Sequence, residues 1–155
     1  MANFIEKLKV TFSEEDIKIK ESKQKRHIVK VTGKSLIDVA KFCKENLGFD
    51  HVISVSITDK LDAKQFAIYY HLSSISQPLL QGEILTLEVN LPRDSPHTRS
   101  LIDVWPSVEW HEREGWEMFG IEFEGHPKLE RLLLPEDWRS GHPLRKDFKI
   151  TVSDK

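Results

Sequence analysis

The sequence predicts an α+β domain: a mixed, mainly antiparallel sheet of about four strands with flanking helices, followed by an extended C-terminal tail. Three observations carry this expectation. Several segments alternate apolar and polar residues with a period of two, two others switch to helical spacing between cap and stop signals, and the chain beyond residue 124 is rich in proline and glycine but poor in aliphatic positions.

The first predicted strand is Lys25 to Thr32, where Ile28, Val29 and Val31 form a β-branched run that Gly33 ends in a turn. From Ser35 the apolar positions become Leu36, Ile37, Val39, Ala40, Phe42, Cys43 and Leu47. That is helical spacing, with Ser35 as N-cap and Gly48 just past the end. Strands His51 to Thr58, Gln65 to Leu72 and Glu83 to Leu91 then alternate cleanly. One buried and one wet face is the pattern of antiparallel strands, and the short links 59–64 and 73–82 suit hairpins.

Pro92 and Pro96 break the pattern, and Ser100 to Val104 reads as a helical turn. A second helix runs from Val108 to Phe119, with Ser107 as its cap, Glu109 at the positive end of the dipole and Gly120 closing it in the left-handed conformation. The expected division is a domain at 1–124, including the acidic helix 107–120, and an extended tail at 125–155 that wraps a partner.

Composition narrows the function. A chain of 155 residues buries about two thirds of its unfolded surface as one domain. A net charge of −2 gives no electrostatic case for nucleic acid. No apolar run approaches the ~18 residues of a membrane span, and the first residues lack a signal-peptide core, so any membrane link is expected to be indirect. The single cysteine, Cys43, allows neither an internal disulfide nor an all-cysteine iron–sulfur site, and its helical position reads as a buried inert thiol.

Motifs for catalysis fail one by one. Thr32-Gly33-Lys34-Ser35 matches the end of a phosphate-binding loop, but Ile28 stands where its first glycine belongs. His111-Glu112 opens a zinc-protease motif, but Gly115 stands where the second histidine belongs. His126 and His142 are each followed by proline and read as turn residues rather than metal ligands. No catalytic, cofactor or metal site is expected.

The segment from 105 to 148 is the candidate functional region. On the second helix Val108, Glu112, Gly115, Trp116 and Phe119 share one stripe, while Trp110, Arg113, Glu114 and Glu117 fall on the other side. A carboxylate on an apolar stripe needs partners, so Glu112 is expected to be semi-buried and held by backbone N–H groups or by an arginine, Arg131 or Arg145. Residues 105–127 carry six glutamates against Arg113, whereas 128–149 carry six cations against four acids. An acidic helix followed by a basic tail suits a clasp, either within the chain or on a partner. The rings of Trp105, Trp110, Trp116, Phe119, Phe123, Trp138 and Phe148 exceed what one short helix can bury and fit an interface.

These residues resemble the signature of the C-subunit family of respiratory complex I. The run Trp110-His111-Glu112-Arg113-Glu114, then Glu117-Met118-Phe119-Gly120-Ile121, then Phe123-Glu124-Gly125-His126-Pro127 is similar to the family's ERE, DMFGI and F.GHP elements in order and spacing. Residues 129–138 and His142-Pro143-Leu144-Arg145-Lys146-Asp147-Phe148 complete it. Two positions depart from it: Glu117 stands where the family has aspartate, and Glu130 replaces the first of two arginines, leaving Arg131 matched.

The resemblance implies a cofactor-free structural subunit of the peripheral arm of a membrane-bound NAD(P)H-, F420H2- or ferredoxin-linked quinone oxidoreductase, an ion-translocating electron-transport complex. It implies two partners, a large subunit related to the nickel–iron hydrogenase catalytic chain and a small iron–sulfur subunit. The iron–sulfur clusters and quinone-type acceptor would sit in those partners. The location implied is peripheral, on the cytoplasmic side of the membrane, or the matrix or stroma side in an organelle. Glu112, Arg113, Glu114, Glu117, His126 and Arg131 would be structural clamps, and Trp138, His142, Pro143, Leu144, Arg145, Lys146, Asp147 and Phe148 the partner interface. The equivalent subunit of a group 4 membrane-bound hydrogenase is the alternative, and a stand-alone small-molecule enzyme a remote one.

Overall fold

The computed structural model describes residues 4–150; the first three residues of the predicted domain and the last five of the predicted tail lie outside the described residues. Three helices, α1 (Phe4–Thr11), α2 (Leu36–Glu45) and α3 (Glu109–Phe119), accompany seven strands, β1 (Ile17–Lys23), β2 (Arg26–Val31), β3 (His51–Lys60), β4 (Gln65–Ser73), β5 (Ile84–Pro92), β6 (His97–Arg99) and β7 (Glu122–Glu124). The main sheet has five strands in the order β1-β2-β5-β4-β3, and β6 pairs with β7 in a small second sheet. Only β2 and β5 run parallel in the main sheet, because α2 and the β3–β4 hairpin intervene between them.

Alternation along each strand sorts the side chains into two faces. The row Ile17, Val31, Val89, Ile68, Ile57 crosses all five strands in register, as does Ile19, Val29, Leu87, Tyr70, Val55. This face forms one core with Phe4 and Leu8 of α1, Leu36, Val39, Ala40 and Cys43 of α2, and Met118 and Phe119 of α3. Each fully buried aliphatic or aromatic side chain contributes roughly 1.5–3 kcal/mol, so the rows bind the layers together. Burial pushes the Cys43 thiol far above its ordinary range, which leaves it inert. The other face carries the row Lys18, Lys30, Glu88, Tyr69, Ser56.

Helix α3 lies close on the sheet because residue 115 is glycine. A methyl group there would lie 2.6 Å from Cδ1 of Ile57 and 3.2 Å from the Phe123 ring. After α3, Gly120 adopts the predicted left-handed conformation at φ 72° and turns the chain into β7. The main chain of Ser100 then donates to the carbonyl of Glu124 at 2.8 Å, which fixes the loop before α3 against the strand after it.

The sheet gains a fifth strand beyond those read from alternation, because the lysine-rich segment Ile17–Lys23 pairs with β2 as an edge strand. Two expectations are corrected. Ser35 does not cap α2: its hydroxyl donates to the Asp16 carboxylate. Ser107 does not cap α3, since it lies inside a single 3₁₀ turn, Pro106–Val108, that leads into the helix. Arg113 and Glu117, on the side of α3 away from the Glu112 stripe, are buried as well. Helical spacing counts one covering surface, and here the tail provides a second.

Candidate functional site: an acidic helix strapped by the tail

The acidic helix α3 lies between the sheet and residues 125–150, which contain no helix or strand. On the sheet side Glu112 is fully buried. Its carboxylate accepts the main-chain N–H of Leu101 at 2.9 Å, the Tyr70 hydroxyl at 3.2 Å and the Ser100 hydroxyl. No arginine reaches it, so of the two kinds of partner expected the backbone N–H is the one found. Burial raises its pKa from 4.5 to about 7, with the Ser100, Leu101 and Tyr70 hydrogen bonds working in the opposite direction. The Tyr70 hydroxyl is held well above its usual range by burial and by the neighbouring Glu112.

On the opposite side Arg113 and Glu117 grip the tail. Arg113 donates through Nε to the carbonyl of Glu130 at 3.2 Å and through Nη2 to that of Arg131 at 3.0 Å. The Glu117 carboxylate accepts the N–H groups of Leu132, Leu133 and Leu134 at 2.8–3.2 Å. A carboxylate suits this place because three successive main-chain donors would otherwise lack acceptors. The departure at residue 130 leaves this grip intact: Arg113 uses the Glu130 carbonyl, while the exposed Glu130 side chain pairs with Lys128 at 3.5 Å. His126 bridges the other end, donating from Nε2 to the carbonyl of Glu109 and accepting the N–H of Lys128 at Nδ1, both 3.1 Å. The carbonyl can only accept, so that pairing fixes the tautomer.

The segment expected to face a partner turns several of its polar groups onto the end of α3. The last four carbonyls of a helix lack internal donors. Here Gly120 N–H satisfies Trp116, His142 Nδ1 satisfies Glu117, Leu144 N–H satisfies Met118 and Arg145 Nε satisfies Phe119, at 2.7–3.1 Å. The Arg145 cation also complements the negative end of the helix dipole and lies 5.2 Å from the Phe66 ring.

Further along, Arg93 makes two bonds to Asp59, at 2.9 and 3.1 Å, and pairs with Asp147, while Lys146 N–H donates to Asp59 at 2.8 Å. Burial raises the Asp59 pKa but is outweighed by Arg93 and Lys146 N–H, leaving it below the ordinary carboxylate value. Asp147 is lowered chiefly by Arg93. Arg131 donates to the Trp138 carbonyl at 2.8 Å, and the Trp138 ring stacks on Phe148 at 6.1 Å.

Of the remaining residues singled out, Glu114 is exposed and makes no hydrogen bond or ion pair among the described residues, Pro143 is half-buried, and Leu144 and the Lys146 side chain are exposed. Sequence reasoning did not single out Tyr70, Ser100, Asp59 or Arg93. Asp59 was within reach: it continues the parity of Val55 and Ile57 and therefore had to enter the apolar face. Among the described residues no group of three or more His, Cys, Asp or Glu is placed to hold a metal ion, and no helix is long and apolar enough to cross a membrane.

Fold and site together define an α+β domain whose C-terminal extension is strapped onto its own acidic helix. Residues 29–154 match the family described as the respiratory-chain NADH dehydrogenase 30 kDa subunit. The chain belongs to that family. It is 39% identical to the C subunit of the F420H2 dehydrogenase of Methanosarcina mazei over 72% of this chain and 68% of that one. It is 40% identical to the C subunit of an NADH-quinone oxidoreductase of Roseiflexus sp. (strain RS-1) over 81% of this chain and 71% of that one. The C/D subunit of an NADH-quinone oxidoreductase of Serratia proteamaculans is 42% identical over 62% of this chain but only 15% of its own length. Among solved structures, a chain of the archaeal membrane-bound sulfane sulfur reductase superposes with a TM-score of 0.80 at 22% identity, covering 95% of this chain and 84% of that one. A trypsin-resistant fragment of Nqo5 gives 0.68 at 24%, covering 81% and 96%. Both share the fold.

Proposed function

We propose that the chain is a cofactor-free structural subunit in the peripheral arm of a membrane-bound, complex I-like oxidoreductase, docked on the cytoplasmic side of the membrane or its organellar equivalent. It grips a large neighbour related to the nickel–iron hydrogenase catalytic chain, beside a small iron–sulfur subunit, and those neighbours hold the clusters and the quinone-type acceptor. One observation carries the reading. The strap directs several of its polar groups inward onto α3, while Trp110, Leu133, Leu144 and Ile150 on the helix and tail are each more than half exposed. Ordered, outward-facing apolar side chains of this kind suit a docking surface. The relative named as a C/D subunit, in which the matched region is a small fraction of the whole, supports a large D-type partner.

Leu133→Asp/Leu144→Asp tests the reading, because both side chains are exposed and neither anchors the fold. The tagged variant should melt within about 2 °C of the parent chain, the spread expected of surface changes, and yet lose the large subunit on purification from solubilised membranes at raised salt. Unchanged retention of the large subunit would contradict the docking role.

A further inference from the structure

The two edges of the main sheet are built differently. At one edge β1 carries Lys18, Lys20 and Lys23, all exposed, and a bulge between Ile19 and Glu21. Charge and irregularity of that kind keep further strands from pairing. At the other edge β3 has a bulge only near its start, between Val52 and Ser54, where Ile53 is exposed. The stretch 54–58 that follows contains no charged residue and no proline. Every second residue of an edge strand points its N–H and C=O away from the neighbouring strand. Apart from the bonds to β4, the main chain of β3 makes no hydrogen bond among the described residues. The strap's hydrogen bond to β3 falls past this stretch, at the Asp59 carboxylate, and Lys60 is paired with Glu88. The apolar rows of the sheet are also incomplete here. Val31, Val89 and Ile68 are buried but Ile57 at the end of their row is half-buried, and Val29, Leu87 and Tyr70 are buried but Val55 is half-buried.

We infer that residues 54–58 of β3 pair with an extended segment of a neighbouring protein subunit, which adds a sixth strand to the main sheet. This rests on reading the chain as part of an assembly. The chemistry of the edge selects the occupant. Only a polypeptide in extended conformation offers donors and acceptors that alternate at the strand repeat, and its main chain supplies the affinity. Its side chains follow from the register: apolar residues on the side of Val55 and Ile57, where they complete the two rows, and uncharged polar residues beside Ser54, Ser56 and Thr58 on the open face. A second copy of this chain is disfavoured. Gly115 of α3 packs directly on Ile57, so pairing of two β3 edges would bring together two α3 helices, each with four glutamates against Arg113. Like charges set against one another in this way select against a partner.

The test is amide hydrogen exchange of residues 54–58, read residue by residue by mass spectrometry in the purified membrane complex and in the isolated chain. Amides bonded to β4 should be slow in both. The alternate amides that point away from β4 should exchange freely in the isolated chain and at least about tenfold more slowly in the complex. Val55→Lys separates docking from folding: in the isolated chain its ammonium can reach past the open edge to water, whereas a paired strand would bury it. The variant should melt within about 5 °C of the parent and be retained in the complex at least about tenfold less well, while Val55→Ile is retained like the parent. The exchange comparison uses the parent chain and decides the inference whatever the stability of the variant. Outward amides that exchange equally fast in complex and isolated chain overturn it. Protection of the same amides in the isolated chain at high concentration, together with a dimer in solution, assigns the edge to a second copy and also overturns it. A chain that purifies with no other subunit overturns the assembly reading together with this one, whereas unprotected outward amides in an intact complex overturn this one alone.

Discussion

Replacing Glu112 with glutamine should change how stability depends on pH more than it changes stability itself. The carboxyl group is fully buried, meets three donors and no cation, and has a folded-state pKa of about 7 against 4.5 for an ordinary glutamate. The folded state therefore binds the proton more tightly than the unfolded state. That advantage is fully present below about pH 4.5 and is lost as the pH rises through 7. Each tenfold in proton affinity corresponds to about 1.4 kcal/mol, so the whole effect is about 3 kcal/mol, of which about 2.5 kcal/mol falls between pH 5 and pH 8. Glutamine keeps an acceptor for Leu101 N–H and Tyr70, and its amide can donate to the Ser100 hydroxyl. Urea unfolding of both proteins at pH 5 and pH 8 gives the comparison. The variant should gain about 2.5 kcal/mol on the parent over that interval. His71, whose pKa burial lowers, is present in both proteins and cancels. If parent and variant keep a constant difference across the interval, Glu112 is already ionised in the fold and the reasoning fails.

Gly120→Ala introduces a Cβ at φ 72° that collides with the His142 ring and lies 2.8 Å from Nη2 of Arg145. Left-handed strain of about 1 kcal/mol, with weakening of two strap hydrogen bonds, should cost about 2–4 kcal/mol in chemical denaturation. Arg93→Ala leaves the Asp59 carboxylate buried without its cation, and a loss of about 3 kcal/mol is expected at pH 7. Because Asp59 has a lowered pKa in the fold, that loss should persist at pH 5 and shrink only on acidification below the unfolded value of 3.8. Glu117→Ala removes the acceptor for Leu132, Leu133 and Leu134 N–H; trypsin should cut after Arg131 markedly faster than in the parent, and an unchanged cleavage rate would argue that the strap holds without it.

The sheet could be read from the sequence because residues 51–91 bury one face only, so that apolar side chains recur at every second position. Two of the missed elements, α1 and β1, lack that signal. α1 buries only Phe4 and Leu8, and β1 is a basic edge strand with Ile17 and Ile19 as its inward residues and a bulge between Ile19 and Glu21. Glu112 was identified by its place on the apolar stripe, since burying a carboxylate demands partners. Its partners Ser100, Leu101 and Tyr70 come from elements distant in sequence or in a loop, and no spacing rule links them. Arg113 and Glu117 fall on the side of α3 that helical spacing predicts, but the surface that buries them there is an extended segment with no periodicity. The His142–Arg145 segment looked directed outward because its residue types suit an interface, but helix C-terminal carbonyls use the same donors, and only the path of the chain decides between them.

The central claim is that this chain joins other subunits and carries no redox centre itself. Purification of the tagged chain from gently solubilised native membranes, with identification of co-eluting chains and metal analysis of each separated subunit, tests it most directly. The account predicts a large hydrogenase-like subunit and a small iron–sulfur subunit in equal amounts with this chain, and no iron, nickel or flavin on the chain once it is separated. Elution alone, or a separated chain that retains a redox cofactor, would contradict it.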